Sequence, residues 1–282
     1  MSASGPERRA RVALVTGASS GLGREIAGRL AEGGYVVFGT GRDPRGCAPD
    51  ANWAWLPLDV RSEDSAQACV DATLERGGRL DVLVNNAGYV LKGAVEECTS
   101  QQFAAVLETN LLGAVRMTRL CLPALRRQRS GHVVNVGSAA SLARAPFFAA
   151  YVASKCALDG FSEALWHELR PFGIRVSVVQ PGFFRTRIAE RAESASGCVS
   201  DYRPEIERAL AAVERSLAQG DAPRRVAQRV WRIVESRRPP LFAIVGAKAR
   251  CVALLRRVLP ATAFARLVRR DLRLDSGARG LP

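Results

Sequence analysis

The chain has 282 residues, 48% of them hydrophobic and 24% charged, which suits one large α/β domain and excludes a disordered, collagen-like or disulfide-stapled chain. Seven isolated cysteines without a Cys-x-x-Cys pair, and two histidines (His132 and His167) without a ligand-spaced companion, argue against zinc ribbons, redox dithiols, metal sites and histidine triads. The formal charge of +14 is concentrated in the tail, where residues 248–282 carry nine basic and two acidic groups; no recognition motif accompanies it, so nucleic acid is not the expected partner.

Short β-branched runs alternate with amphipathic stretches along the chain. They predict strands at 11–16, 35–40, 53–58, 82–85, 132–136 and 175–179, with a last one at 241–245. Between them, Ile26, Ala27 and Leu30 make an apolar helical stripe, and Ser62 followed by Glu63 and Asp64 starts another helix. Long helical periods cover 101–129 and 151–170. The expected fold is a single doubly wound, Rossmann-type parallel sheet flanked by helices, with a basic C-terminal helical extension. We expect residues 1–247 to form the catalytic domain, with an irregular, mobile lid at about 185–222, and residues 248–282 to form two basic amphipathic helices broken by Pro260. Such helices suit contact with an anionic membrane, a cover over the site, or packing against a second subunit.

Isolated cysteines are expected to act as small buried apolar residues in a reducing compartment. No apolar run reaches the roughly 18–20 residues of a bilayer span, and residues 1–11 lack the apolar stretch of a signal peptide. A cytoplasmic protein is expected. Of the 41 basic residues only Lys92, Lys155 and Lys248 are lysine, which makes the position of each worth following.

The first strand runs into Thr16-Gly17-Ala18-Ser19-Ser20-Gly21-Leu22-Gly23 and then a helix. Glycines there permit a tight turn and close approach of backbone N–H groups to a pyrophosphate at the helix N-terminus. Tyr151 and Lys155, four apart on a predicted helix, project from one face, where an ammonium would lower the phenol pKa from its usual value near 10.

The Thr-Gly-x-x-x-Gly-x-Gly spacing, Asn85-Asn86-Ala87-Gly88 after a strand, Asp59-Val60, Pro181-Gly182 and Thr186 together resemble the short-chain dehydrogenase/reductase family over residues 11–187. The segment Gly39-Thr40-Gly41-Arg42-Asp43 and the tail resemble its steroid- and retinol-dehydrogenase branch. The resemblance implies a nicotinamide cofactor held by Gly17, Ser19, Ser20, Gly21, Leu22 and Gly23, with Asp59 and Val60 at the adenine. It also implies cofactor contacts from Asn86, Ala87 and Gly88 and from Pro181 and Gly182, with Thr186 at the carboxamide and Tyr151 and Lys155 at the ribose. It implies a catalytic set of Asn110, Ser138, Tyr151 and Lys155, in which Asn110 orients a water and Ser138 holds the substrate oxygen. Gly137 departs from the serine the family often carries, which suggests a looser loop.

Neutral Thr40 at the ribose-discriminating position, Arg42 beyond it and Ser20 in the turn favour NADP(H) over NAD(H), while Asp43 is the contrary sign. Phe147, Phe148, Phe183 and Phe184 bracket the crevice and suggest a small apolar ketone or alcohol as substrate. The expected activity is NADP(H)-dependent ketone reduction, or the reverse oxidation, by a homo-oligomer. An NAD-dependent alcohol oxidiser and a non-catalytic NADP-binding sensor or scaffold remain the alternatives.

Overall fold

We describe residues 10–43, 53–186 and 192–274 of a computed structural model. Cys47, residues 187–191 of the expected lid and residues 275–282 of the tail lie outside the described residues.

All seven expected strands form. They are β1 (Val12–Val15), β2 (Val36–Gly41), β3 (Ala54–Pro57), β4 (Val82–Asn85), β6 (Gly131–Val136), β7 (Ile174–Pro181) and β9 (Phe242–Val245); two-residue strands β5 (Leu91–Lys92) and β8 (Glu193–Ser194) pair separately. The main sheet is parallel in the order β3-β2-β1-β4-β6-β7-β9. β1 and β4 bury all four of their residues and β6 all six, as a sheet covered on both faces requires. Chain order reverses between β1 and β4, and at that point a crevice opens beyond the strands' carboxyl ends.

The helices are α1 (Gly21–Glu32), α2 (Glu63–Gly77), α3 (Ser100–Leu107), α4 (Gly113–Gln128), α5 (Ala140–Ala143), α6 (Ala149–Leu169), α7 (Arg203–Ala218), α8 (Arg224–Glu235), α9 (Ala247–Val258) and α10 (Ala261–Asp271). One sheet face is covered by the α1 stripe Ile26, Ala27 and Leu30, which packs with Val226, Val230 and Ile233 of α8. The other face is covered by α2, α4 and α6 through Val70, Met117, Leu125 and Leu165. Ser62 caps α2 by accepting from the Ser65 N–H at 3.2 Å, a contact whose loss costs about 1 kcal/mol.

Three expectations change. The helical period over 101–129 is interrupted by a π-helical turn at Glu108–Leu112, which places Asn110 on that turn. The excursion expected to be mobile is fastened over its described part: β8 pairs with β5, Gln102 Nε2 donates to the Ser194 carbonyl at 3.1 Å, and the Val199 N–H donates to Glu97 Oε1 at 3.0 Å. These partners are backbone groups and short polar side chains, so no apolar period announced them. Of the described cysteines, only Cys69 and Cys121 are buried; Cys198 and Cys251 are exposed.

The tail helices lie against the rest of the fold. A Cβ on Gly182 would stand 2.9 Å from Ala249 Cβ of α9, and Leu272 and Leu274 bury against Ala209 and Ala212 of α7. No helix among the described residues is long and apolar enough to cross a membrane.

Candidate active site

The glycine turn is shaped by contacts only glycine allows. Gly17 has φ +66°, and a Cβ there would lie 2.9 Å from the Ala87 backbone. A Cβ on Gly23 would lie 2.3 Å from the Gly17 carbonyl. Thr16, just before them, ties the turn to the end of β4: its Oγ1 accepts from the N–H groups of Asn86 and Ala87 at 2.9 and 3.0 Å. Asn86 returns the contact by donating through Nδ2 to the carbonyls of Thr16 and Gly17. The first turn of α1 carries no acidic residue and receives no side-chain cap from Ser20, so its N–H groups and positive end face the crevice. Thr186 lies across from this turn, its Cβ 3.7 Å from where a Gly21 Cβ would be.

A dinucleotide fits this cradle. At the end of β2, Thr40 is buried and its Oγ1 has no protein partner; its carbonyl accepts from the Ala18 N–H at 2.7 Å. Arg42 is exposed beyond it, and Ser19 Cβ stands 3.5 Å from a Gly41 Cβ, so a hydroxyl and a guanidinium flank the same strand end. Asp59 is held by Arg61, whose Nε and Nη2 donate to its carboxylate at 2.9 and 2.6 Å. The Arg61 hydrogen bonds, with a smaller pull from Arg42, hold the Asp59 carboxyl at about 2.

Across the crevice, Ser138 follows β6 and Tyr151 and Lys155 sit on α6. The Ser138 Oγ accepts from the Ala140 N–H at 3.1 Å, which leaves the hydroxyl proton free to be donated. Its carbonyl accepts from Ser141 Oγ at 2.8 Å, fixing the loop. Lys155 Nζ is buried, donates to the Val136 carbonyl at 2.8 Å and stands 5.8 Å from the Tyr151 ring centroid. Burial draws the Lys155 ammonium down to about 8, opposed by the Asp159 carboxylate.

The Tyr151 pKa corrects the sequence argument. Burial raises it above its ordinary value, and the Ser138 hydroxyl pulls it back only in part. Burial is the larger influence, so the neighbouring Lys155 ammonium does not bring the phenol below its ordinary value. The phenol therefore rests protonated.

Asn110 is clamped. Its Nδ2 donates to the Tyr89 carbonyl at 2.9 Å and to Ser154 Oγ at 3.0 Å, and its Oδ1 accepts from the Tyr89 N–H at 3.0 Å. Both side-chain donors are thus used in joining the β4 exit to α6. Nor is Gly137 a loosening: a Cβ there would meet Val178 Cγ1 at 2.9 Å and Asp159 Oδ1 at 3.2 Å, so its absence admits Asp159 close to the loop. Asp159 and Gln180 were missed by sequence reasoning. Gln180 Nε2 donates to Asp159 Oδ2 at 2.8 Å and to Ser141 Oγ at 3.2 Å. The available signal was spacing, since Asp159 lies four residues after Lys155 on the same helix face.

Beyond Ser138 and Tyr151 a pocket opens to solvent. Its wall is largely apolar, with Val90, Val152 of α6, Leu210, Val213 and Leu217 of α7, and Val252 of α9 drawn from four separate parts of the chain. Each phenylalanine pair splits: Phe148 and Phe183 line the pocket, whereas Phe184 is buried in the core and Phe147 packs beside α7. His132 is a core residue, its Nε2 3.1 Å from Ser177 Oγ, and burial pulls its imidazole down to about 3. No group of three potential metal ligands occurs among the described residues.

Comparison with known proteins agrees with this geometry. Residues 11–197 match the family model for short chain dehydrogenases. A 3-ketodihydrosphingosine reductase of Bacteroides thetaiotaomicron is 35% identical over 84% of this chain and 88% of its own length. Retinol dehydrogenase 8 of Bos taurus is 35% identical over 82% and 80%. A solved short chain dehydrogenase/reductase from Burkholderia phymatum, in complex with NAD, superposes with a TM-score of 0.76 at 26% identity, covering 99% of each chain.

Proposed function

Because the chain belongs to the short-chain dehydrogenase family and is an oxidoreductase of that kind, we propose that it reduces an apolar ketone to a secondary alcohol with NADPH, using Tyr151 as the general acid. The observation that carries this reading is the Tyr151 phenol beside the Ser138 hydroxyl, both opening onto one largely apolar pocket.

The cradle at Gly17, Gly21 and Gly23 would hold the cofactor's pyrophosphate, and Thr186 and Gly182 its nicotinamide end. When bound, the reduced nicotinamide supplies the hydride that the carbonyl carbon takes up. Ser138 donates its hydroxyl proton as a hydrogen bond to the carbonyl oxygen, stabilising the charge that develops there. Tyr151 gives its Oη proton to that oxygen, which completes the alcohol and leaves a phenolate. Lys155 stabilises that phenolate from one helical turn away. General acid catalysis of this kind contributes roughly 10²–10⁴-fold. The reduction direction needs the phenol in its acid form, which is the form a phenol holds at neutral pH.

Arg42, with Ser19 and Ser20 nearby, supports NADP(H): a guanidinium pairs well with a ribose 2′-phosphate. Thr40 presents no carboxylate to repel it. The test is stopped-flow consumption of NADPH and of NADH with a panel of apolar ketones, repeated with Arg42→Asp. NADPH should be used faster, and the variant should shift preference toward NADH. Unchanged NADPH preference in the variant overturns the cofactor assignment, and no turnover of any ketone or alcohol favours a sensor or scaffold.

A further inference from the structure

Only three of the chain's 41 basic residues are lysine, and all three come to this site. Lys155 lies beneath Tyr151, while Lys92 and Lys248 stand in the pocket wall. A charge against an apolar surface is costly unless something compensates it. Lys248 is compensated: its Nζ is 3.0 Å from Asp271 Oδ2 and 3.4 Å from Ser216 Oγ, and lies over the Phe183 ring. Glu214, the third charged residue of the wall, is exposed on α7, where water screens it.

Lys92 is different. It is half-buried on β5, a strand held in place by its pairing with β8, and no carboxylate among the described residues forms an ion pair with it. The nearby acid Glu97 is spent on backbone, accepting from the N–H groups of Ala94 and Val199 at 2.9 and 3.0 Å. An ammonium on a flexible stem, fixed at its base and without an ion-pair partner among the described residues, is a point-charge site for an anion. The setting favours the same sign. α9 lines the pocket, and the described residues from 248 to 274 carry eight basic groups against one acidic, a field that draws anions toward the mouth.

We propose that the pocket takes an amphiphile: an apolar keto chain along the wall, with an anionic head, carboxylate or phosphate, seated on Lys92. This rests on the reading that a ketone is reduced at Tyr151, and it makes Lys92 a specificity-determining residue for that reaction.

The test compares a keto derivative of dodecanoate, its methyl ester and the matching keto-alkyl phosphate as substrates for the parent, Lys92→Met and Lys92→Glu. The parent should favour an anion over the ester by about tenfold or more in kcat/KM, the range of a charge-assisted hydrogen bond. The ratio should fall to about one in Lys92→Met and lower in Lys92→Glu; the carboxylate and phosphate arms tell which head is preferred. Calorimetric titration of the NADPH-loaded protein with dodecanoate and with dodecanol separates this proposal from the reaction. A preference for dodecanoate that Lys92→Met abolishes supports the anion site even if no ketone is reduced, in which case only the reductase reading falls. Equal affinity for acid and alcohol in the parent, or a preference that survives in Lys92→Met, overturns the anion site.

Discussion

The two halves of the crevice are built in different ways. The half at β1, β2 and the β4 exit is made of backbone: glycines with positive φ or no room for a Cβ, and a threonine and an asparagine spent on main-chain groups. The half beyond Ser138 is made of side chains from β5, α6, α7 and α9, most of which are required only to be apolar. A backbone cradle suits a ligand with invariant phosphates and ribose, and leaves little freedom of sequence. A wall of interchangeable aliphatic groups suits a substrate that differs from one relative to another. The catalytic groups stand at the seam. The comparison therefore predicts that variants will separate into those that move chemistry, those that move cofactor affinity and those that tune the proton.

The largest effect belongs to the seam. Tyr151→Phe keeps the ring, the packing and the helix but removes the transferable proton, and kcat should fall by about 10²–10⁴-fold. Cofactor affinity, measured by fluorescence titration of NADPH, should change little. If the variant turns over as fast as the parent, Tyr151 is not the acid.

Next comes the backbone half. Gly23→Ala places a Cβ against the Gly17 carbonyl, at an ideal separation of 2.3 Å, so the turn must shift. Overpacking of this kind costs about 1–3 kcal/mol, enough to weaken NADPH binding by roughly tenfold to 100-fold. The same titration reads it directly. Unaltered affinity would mean that the cofactor is not held by this turn.

The same division explains what could be read from the sequence. Gly17 and Gly23 were legible because a turn of this shape leaves no room for a Cβ at those places, and Gly21 because its φ of 57° favours glycine. The seven strands were legible because a sheet buried on both faces demands continuous β-branched runs. Leu217 and Val252 were not, since any core position would ask the same of them. Phe147 and Phe148 are neighbours, yet one faces the pocket and the other the α7 cluster. That difference is set by the turn before α6, where Phe147 adopts φ 65°, and no aromatic pair announces it. The sign of the Tyr151 shift was also hidden, because it is set by how deeply the phenol is buried and not by how far along the helix Lys155 lies.

The smallest effect is a pH dependence, and it tests the seam from the side of Lys155. Its ammonium titrates at about 8, depressed by burial. As pH rises through that value the charge is lost, and the phenolate that Tyr151 leaves behind loses its stabiliser. In the reduction direction kcat should thus be level below about 8 and fall above it, by at most about tenfold per pH unit. Asp159 opposes the depression, since a carboxylate near the ammonium favours its charged form. Asp159→Asn should therefore move the fall to lower pH, while leaving the rate at the acid end closer to the parent's than Tyr151→Phe does. A merely structural role for Asp159 would lower the rate at every pH without moving the inflection. A profile that stays level well above 8 in the parent would place the charge that supports Tyr151 on something other than Lys155.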